Sequence, residues 1–178
     1  TVVGYPVRDA FWSLTRDEAR ARLGLPLDAK VLLVTGASLG AQSINEAVTS
    51  AQTMSAFLAQ AYVLHVTGAP WAIQDRHIDG VPPSVSLREH YIARAYIDDM
   101  PAAMVAADLA VMRAGASTLG ELPAAGLPAV LVPGEYEGWS QAPNAEYLEA
   151  QGAAVMLRNA DLARLADTVV ALLDDGPR

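Results

Sequence analysis

Cysteine is absent from this chain of 178 residues. Its absence excludes disulfide bonds, thiol catalysis and cysteine-ligated zinc, and it is compatible with a reducing compartment. Aromatic residues are scarce at 6%, although 52% of the residues are hydrophobic. Alanine and valine supply much of the apolar content, which suits helices that pack closely on a sheet. Basic residues are outnumbered, with 12 Lys and Arg against 20 Asp and Glu, and the formal net charge is −8.

This charge limits the ligands that the chain is expected to bind. General nucleic-acid binding requires a basic face, which an acidic chain does not favour. A nucleotide is still compatible, because a helix N-terminus and one or two arginines can bind a phosphate locally. No run of about 18 apolar residues occurs, so no membrane-spanning helix is predicted. The N-terminus also lacks the pattern of a signal peptide.

The length suits one ordinary domain. The chain begins without Met, in residues 1–3 that read as a strand, and it stops at Asp174-Asp175-Gly176-Pro177-Arg178. We therefore expect residues 1–178 to be one domain excised from a longer protein.

Apolar strand patterns alternate with helical patterns along the whole chain. Strands are predicted over residues 31–35, 62–67, 91–97, 109–112, 129–132 and 153–157. Helices are predicted over residues 16–23, 41–59, 100–106, 142–151 and 161–173, and another of about 8 to 10 residues is predicted to end near Gly126. Thr15 with Glu18 caps the first of them, and Asp161 caps the last. This alternation is typical of βαβ units, so we expect an α/β fold with a doubly wound parallel sheet of about six strands. Ligands of such sheets bind at the carboxyl ends of the strands.

The stretch Arg113-Ala114-Gly115-Ala116-Ser117-Thr118-Leu119-Gly120-Glu121 joins a predicted strand to a predicted helix. Its small residues allow a tight turn that approaches a ligand closely. Free N–H groups and the helix dipole then favour an anion at this point. Thr118 and Glu121 share one helix face, so the first is a candidate phosphate donor and the second a candidate acceptor for ribose hydroxyls. Arg113 is equally compatible with a surface ion pair or a phosphate contact.

A second turn, Gly36-Ala37-Ser38-Leu39-Gly40, has the same place between a strand and a helix. It matches neither the G-x-G-x-x-G pattern nor a P-loop with its lysine. By itself it indicates a phosphate site only weakly, but two such turns after the first and fourth strands could flank the crevice of an open sheet.

Other polar residues suggest supporting roles. Gln141 and Asn144, at the start of a predicted helix, have amide groups suited to sugar hydroxyls, although simple capping is also compatible. His65 is predicted to be a hydrogen-bonded core histidine, and Asp98 and Asp99 are predicted to cap the helix at Met100. The three histidines do not have the spacing of metal ligands, so we expect no metal. No catalytic base is apparent.

Together these motifs resemble the C-terminal donor-binding domain of the glycosyltransferases of the MurG type, a family with the GT-B fold. Seven segments occur in the family's order, namely Gly4-Tyr5-Pro6-Val7-Arg8, residues 36–41, His65-Val66-Thr67-Gly68, Tyr96-Ile97-Asp98-Asp99-Met100, residues 113–121, Ala125-Gly126-Leu127-Pro128 and residues 141–145. The chain departs from the family pattern in three places: Tyr5 replaces an Asn, Ala37 replaces a Gly, and the segment 137–140 differs before Gln141.

The resemblance implies an inverting hexosyltransferase that moves N-acetylglucosamine from UDP-GlcNAc to the lipid-linked muramyl-pentapeptide precursor of peptidoglycan. UDP-GlcNAc would be a substrate, and no cofactor is expected. The resemblance implies that Tyr96 and Ile97 flank the uracil and that Glu121 holds the ribose. It also implies that Gln141 and Asn144 form hydrogen bonds with the sugar hydroxyls. The diphosphate would contact the two turns and two arginines, a set that comprises Arg8, Ser38, Leu39, Gly40, Arg113, Gly115, Ala116, Ser117 and Thr118.

The same resemblance assigns the lipid acceptor and the catalytic base to an N-terminal domain that this chain does not contain. The isolated domain is therefore expected to be inactive alone, and the full protein to be cytoplasmic and peripheral at the inner face of the cell membrane. Three alternatives stay open: a related transferase with a glycolipid or natural-product acceptor, a non-catalytic donor-binding subunit of a split transferase, and a sugar 2-epimerase of similar fold.

Overall fold

The computed structural model describes residues 4–37, 39–69 and 90–175. The helices are α1 (Ala10–Ser13), α2 (Arg16–Leu23), α3 (Gln42–Thr49), α4 (Ala51–Leu58), α5 (Met100–Ala106), α6 (Thr118–Ala125), α7 (Ala142–Ala150) and α8 (Leu165–Asp174), with a 3₁₀ helix over Asn159–Arg164. The strands are β1 (Val31–Thr35), β2 (Tyr62–Val66), β3 (Tyr91–Arg94), β4 (Leu109–Met112), β5 (Ala129–Leu131), β6 (Glu135–Tyr136), β7 (Trp139–Ser140) and β8 (Ala154–Met156). The predicted strand at residues 1–3 lies outside the described residues.

Six strands form one parallel sheet in the order β3-β2-β1-β4-β5-β8. The chain starts in the middle at β1, proceeds outward through β2 and β3, and then returns to β4 on the other side of β1. This reversal is the switch point of a doubly wound sheet, where a crevice opens at the carboxyl ends of β1 and β4. The predicted fold class and strand number are confirmed.

Helices cover both faces of the sheet, because β1 and β4 are apolar on both sides. On one face, α1, α2, α5, α6 and α7 pack against alternate strand residues such as Leu33 and Leu131. On the other face, α3, α4 and α8 pack against the intervening residues such as Val34 and Val111. The result is a three-layer domain whose loops at the carboxyl edge of the sheet carry the predicted site residues.

Several predicted ends of elements are confirmed by the backbone. The capping box of Thr15 and Glu18 is present at α2, and the Asp99 side chain accepts from the Ala102 N–H at α5. Gly126 ends α6 in the left-handed region with φ of +60°. These signals depend only on neighbouring residues, which explains why the sequence predicts them well.

Three predicted elements differ from the structure by more than one residue at an end or in continuity. The helix over residues 41–59 is two helices, because Ser50 is extended and its hydroxyl caps α4 by accepting from the Thr53 N–H. The strand over residues 91–97 ends at Arg94, because β2, its neighbour, already ends at Val66. The final helix begins at Leu165, and Asp161 lies within the preceding 3₁₀ helix instead of capping. The β6–β7 hairpin and α1 were not predicted.

Candidate functional site

The turn after β1 is held by close backbone packing. A Cβ atom on Gly36 would lie 2.1 Å from the Ala41 nitrogen, so only glycine fits there. Gly68, at the end of β2, has φ of +86°, and a Cβ atom there would lie 2.4 Å from the Gly40 nitrogen. The end of β2 therefore supports the back of this turn. In the sequence Gly68 is part of a motif at a predicted strand end, and only the structure shows that it packs against Gly40.

Ala37 in this turn has φ of +67°, and it is the only non-glycine residue with positive φ in the described ranges. A left-handed alanine costs about 1–2 kcal/mol relative to an ordinary conformation. Ala37 stands where the resemblance leads us to expect glycine, and it adopts a left-handed conformation that glycine would adopt without strain. The Ala37 N–H donates to the Thr35 hydroxyl at 3.2 Å, which helps to hold this conformation.

The turn after β4 leads into α6. Its Ser117 carbonyl accepts from the Glu121 N–H at 2.9 Å, and the Thr118 and Leu119 N–H groups turn back onto Gly115 and Ala116. Thr118 is only 2% exposed, and its hydroxyl donates to the Gly115 carbonyl. Contact of that hydroxyl with phosphate stays a prediction, and it would require the hydroxyl to redirect its proton.

Glu121 lies on the first turn of α6 and pairs with Arg8. The Arg8 Nη2 and Glu121 Oε1 atoms are 3.7 Å apart, and the two side chains are 52% and 18% exposed, respectively. The N-terminal segment reaches this helix because Gly120 has no side chain. A Cβ atom on Gly120 would lie 2.9 Å from Val7 Cγ1 and 3.0 Å from Tyr5 Cβ. The structure thus brings together two residues that are 113 positions apart and were predicted to bind one ligand.

Gln141 and Asn144 lie against the same turn. The Gln141 Nε2 atom is 3.7 Å from the position of a Cβ on Gly115. Its Oε1 atom accepts from the Gly134 N–H at 2.8 Å, which closes the base of the β6–β7 hairpin. Asn144 Nδ2 donates to the Ala114 carbonyl at 2.9 Å. Both amides therefore border the turn, and their predicted contact with a sugar is not tested by these bonds.

Arg113 is half-buried and contacts several other segments. Its Nη1 donates to the carbonyls of Val132 and Pro133, each at 3.2 Å, and to Asn159 Oδ1 at 3.1 Å. Its Nη2 donates to the Ser43 hydroxyl at 3.0 Å. An ion pair or a phosphate contact was predicted for Arg113. The observed partners were not predicted, because they lie 19 to 70 residues away in sequence.

Three further predicted residues, Leu39, Tyr96 and Ile97, lie at the same edge of the sheet. Leu39 and Tyr96 are 76% and 59% exposed, and Ile97 packs partly against the core. Tyr96 and Ile97 follow β3, at the side of the sheet where β1 and β2 also end. Ser38 lies outside the described residues. Trp139, which is 56% exposed on β7, precedes Gln141 by two positions and was not among the predicted site residues.

His65 is fully buried at the end of β2, which confirms its prediction as a core histidine. Its Nε2 contacts Asn45 Oδ1 at 3.0 Å, and its Nδ1 contacts the Tyr91 hydroxyl at 2.9 Å. Because Asn45 Nδ2 donates to the Thr67 carbonyl, Asn45 Oδ1 accepts and His65 carries its proton on Nε2. Burial lowers the pKa of His65 to about 4, and it raises the pKa of Tyr91 above its ordinary value.

Across residues 4–37, 39–69 and 90–175, no group of three or more His, Cys, Asp or Glu side chains is placed to hold a metal ion. Within the same ranges no helix is both long and apolar enough to cross a bilayer.

The strand order and the two turns at the switch point define a Rossmann-like α/β domain, and solved structures of glycosyltransferases contain a similar domain. The crystal structure of Acinetobacter baumannii MurG matches with a TM-score of 0.65 and 24% identity, covering 96% of this chain and 51% of that one. WaaG, a glycosyltransferase involved in lipopolysaccharide biosynthesis, matches with a TM-score of 0.66 and 16% identity over 98% and 46% of the two chains. At these identities the likeness establishes the fold, the C-terminal half of a GT-B architecture.

Sequence similarity assigns the family. The model of the glycosyltransferase family 28 C-terminal domain matches residues 31–178, and the chain belongs to this family. A relative from Mycolicibacterium smegmatis is 41% identical over 98% of this chain and 45% of its own length. That protein is named UDP-N-acetylglucosamine--N-acetylmuramyl-(pentapeptide) pyrophosphoryl-undecaprenol N-acetylglucosamine transferase. The chain spans about half the length of the curated relatives it matches.

Proposed function

We propose that this chain is the donor-binding domain of a hexosyltransferase that transfers N-acetylglucosamine from UDP-GlcNAc to a lipid-linked muramyl-pentapeptide. The observation that carries the proposal is the convergence of two glycine turns, Glu121 and Gln141 at one switch point, in a chain of family 28. Relatives at about 40% identity are named for this donor and this acceptor.

The proposed binding mode follows the chemistry at the edge of the sheet. The diphosphate lies between the two turns, where backbone N–H groups and the N-terminus of α6 attract negative charge. Glu121 accepts hydrogen bonds from the ribose hydroxyls, and Tyr96 and Ile97 flank the uracil. Gln141 and Asn144 contact the sugar from their positions beside the Gly115 turn.

This arrangement suits the cleavage of the bond between the sugar and UDP. Negative charge grows on the diphosphate as that bond breaks, and preorganised dipoles of the two turns and of the α6 N-terminus would stabilise that charge. Arg8, half-exposed beside Glu121, adds a positive charge near the same turn. We assign the catalytic base and the acceptor contacts to a domain outside this chain.

The proposed acceptor also indicates where the full protein works in the cell. The relatives are named for a pyrophosphoryl-undecaprenol acceptor, and an undecaprenyl chain resides in a membrane. We propose that the full protein works in the cytoplasm as a peripheral protein at the inner face of the cell membrane. Transfer to a different lipid or natural-product acceptor is the runner-up, and it leaves the donor site unchanged.

Calorimetric titration of the domain with UDP, UDP-GlcNAc and UDP-glucose tests the donor proposal. We expect UDP and UDP-GlcNAc to bind and uridine to bind far more weakly, because most of the proposed polar contacts are to the diphosphate. A folded domain that binds neither UDP nor UDP-GlcNAc at millimolar concentration would contradict it. Equal affinity for UDP-GlcNAc and UDP-glucose would leave the nucleotide site intact and overturn the assignment of the sugar.

A further inference from the structure

Arg113 joins three segments that are distant in sequence. Its Nη1 faces the Val132 and Pro133 carbonyls after β5 and the Asn159 amide after β8, while its Nη2 faces the Ser43 hydroxyl on α3. The side chain therefore extends from the end of β4 to the helix that follows the turn after β1.

The partners of Arg113 are also bonded to each other. The Ser43 hydroxyl donates to Asn159 Oδ1 at 2.8 Å, and Asn159 Nδ2 donates to the Pro133 carbonyl at 3.1 Å. Arg113, Ser43 and Asn159 thus form a closed hydrogen-bonded group, which we call the Arg113 brace. Closed groups of this kind fix the relative position of the segments that carry them.

The brace lies between the two glycine turns. Ser43 is the second residue of α3, three positions after Gly40 in the first turn. Arg113 is two positions before Gly115 in the second turn. Because β1 and β4 are neighbours in the sheet, the brace links the far sides of both turns across the switch point.

We propose that Arg113 is a positioning residue that sets the separation of the two turns for a diphosphate, and that it is not itself a phosphate ligand. This inference rests on the proposed function. The Nη1 atom has three protein acceptors for its two N–H groups and Nη2 donates to Ser43, so the guanidinium is directed at the brace. The two nitrogens also face different segments, which requires the planar fork of arginine. A lysine ammonium can carry the charge but cannot reach both sides.

The substitutions Arg113→Lys and Asn159→Ala, alone and together, separate positioning from direct contact. We expect each single variant to weaken UDP binding about tenfold, the scale of one lost hydrogen-bonding partner. The double variant should bind no more weakly than the weaker single variant, since both changes open the same group. Uridine affinity should stay near that of the wild type, because uridine lacks the diphosphate.

Thr49→Ala is the matched control, since it removes a hydrogen bond from α3 that has no link to Arg113. Its UDP affinity should equal that of the wild type. Wild-type UDP affinity in Arg113→Lys or in Asn159→Ala, or additive losses in the double variant, would overturn the inference. If wild-type protein itself binds no UDP, the proposed function fails, and the inference fails with it. Wild-type affinity in a variant overturns only the inference.

Discussion

Replacing Glu121 with alanine removes the carboxylate that is proposed to hold the ribose. The side chain is 18% exposed, so it is partly desolvated but still reachable by a ligand. A hydrogen bond to a charged group contributes about 1–3 kcal/mol, so UDP affinity should fall roughly 5- to 150-fold. The loss should come from the ribose contacts, because the two turns that face the diphosphate do not include Glu121.

The same substitution should change stability much less. Its ionic partner, Arg8, is 52% exposed and 3.7 Å away, and an exposed pair of this kind contributes about 0–1 kcal/mol. The free energy of unfolding should therefore fall by about 1 kcal/mol or less. A large loss of affinity with a small loss of stability is what distinguishes a ligand contact from a structural one.

Calorimetric titration with UDP and 2′-deoxy-UDP is the assay. The wild-type domain should prefer UDP, and Glu121→Ala should lose most of that preference. Glu146→Ala, which removes an exposed carboxylate on α7, is the control for the change in charge and should keep wild-type affinity. Equal binding of UDP and 2′-deoxy-UDP by the wild type would refute the assignment of Glu121 to the ribose.

Two further predictions concern stability. Ala37→Gly should raise the melting temperature by about 2–4 °C, because glycine adopts the φ of +67° without strain and the gain is near 1 kcal/mol; an unchanged or lower melting temperature in a thermal scan would contradict this. His65 has a pKa of about 4 in the folded protein and an ordinary value of 6.5. The unfolded state therefore binds more protons between these values, and stability falls as the pH drops through that window. Urea titrations should show a loss of about 2 kcal/mol from His65 between pH 7.5 and pH 5, and His65→Gln should lack this part of the pH dependence. Identical pH dependence in both proteins would show that His65 is not the source.

Local signals explain what was predicted correctly about the fold. The apolar run of β1, the capping box at Thr15 and the left-handed Gly126 each depend on a few adjacent residues, so the sequence contains the information. The break at Ser50 was missed because residues 41–59 read as one continuous helical pattern. The early end of β3 was missed because it depends on where its neighbour stops.

The candidate site, like the fold, could be predicted from the sequence only in part. The two glycine turns, Glu121 and Gln141 were predicted as site residues from residue type and from their place relative to predicted strands. Their meeting at one point follows from the strand order, which places β1 beside β4. The alternation of strands and helices along the chain predicts a parallel sheet, but it does not define the order of the strands within that sheet.

The sequence alone determined the α/β class, the positions of the turns and the family of the chain, because those depend on periodicity and on short motifs. Only the tertiary structure decided the partners of Arg113, the packing of Gly120 against Tyr5 and the neutral, Nε2-protonated state of His65. The physical reason is that each of these depends on contacts between segments distant in sequence. Such contacts are set when the helices pack on the sheet, and no local pattern specifies which side chains will then meet.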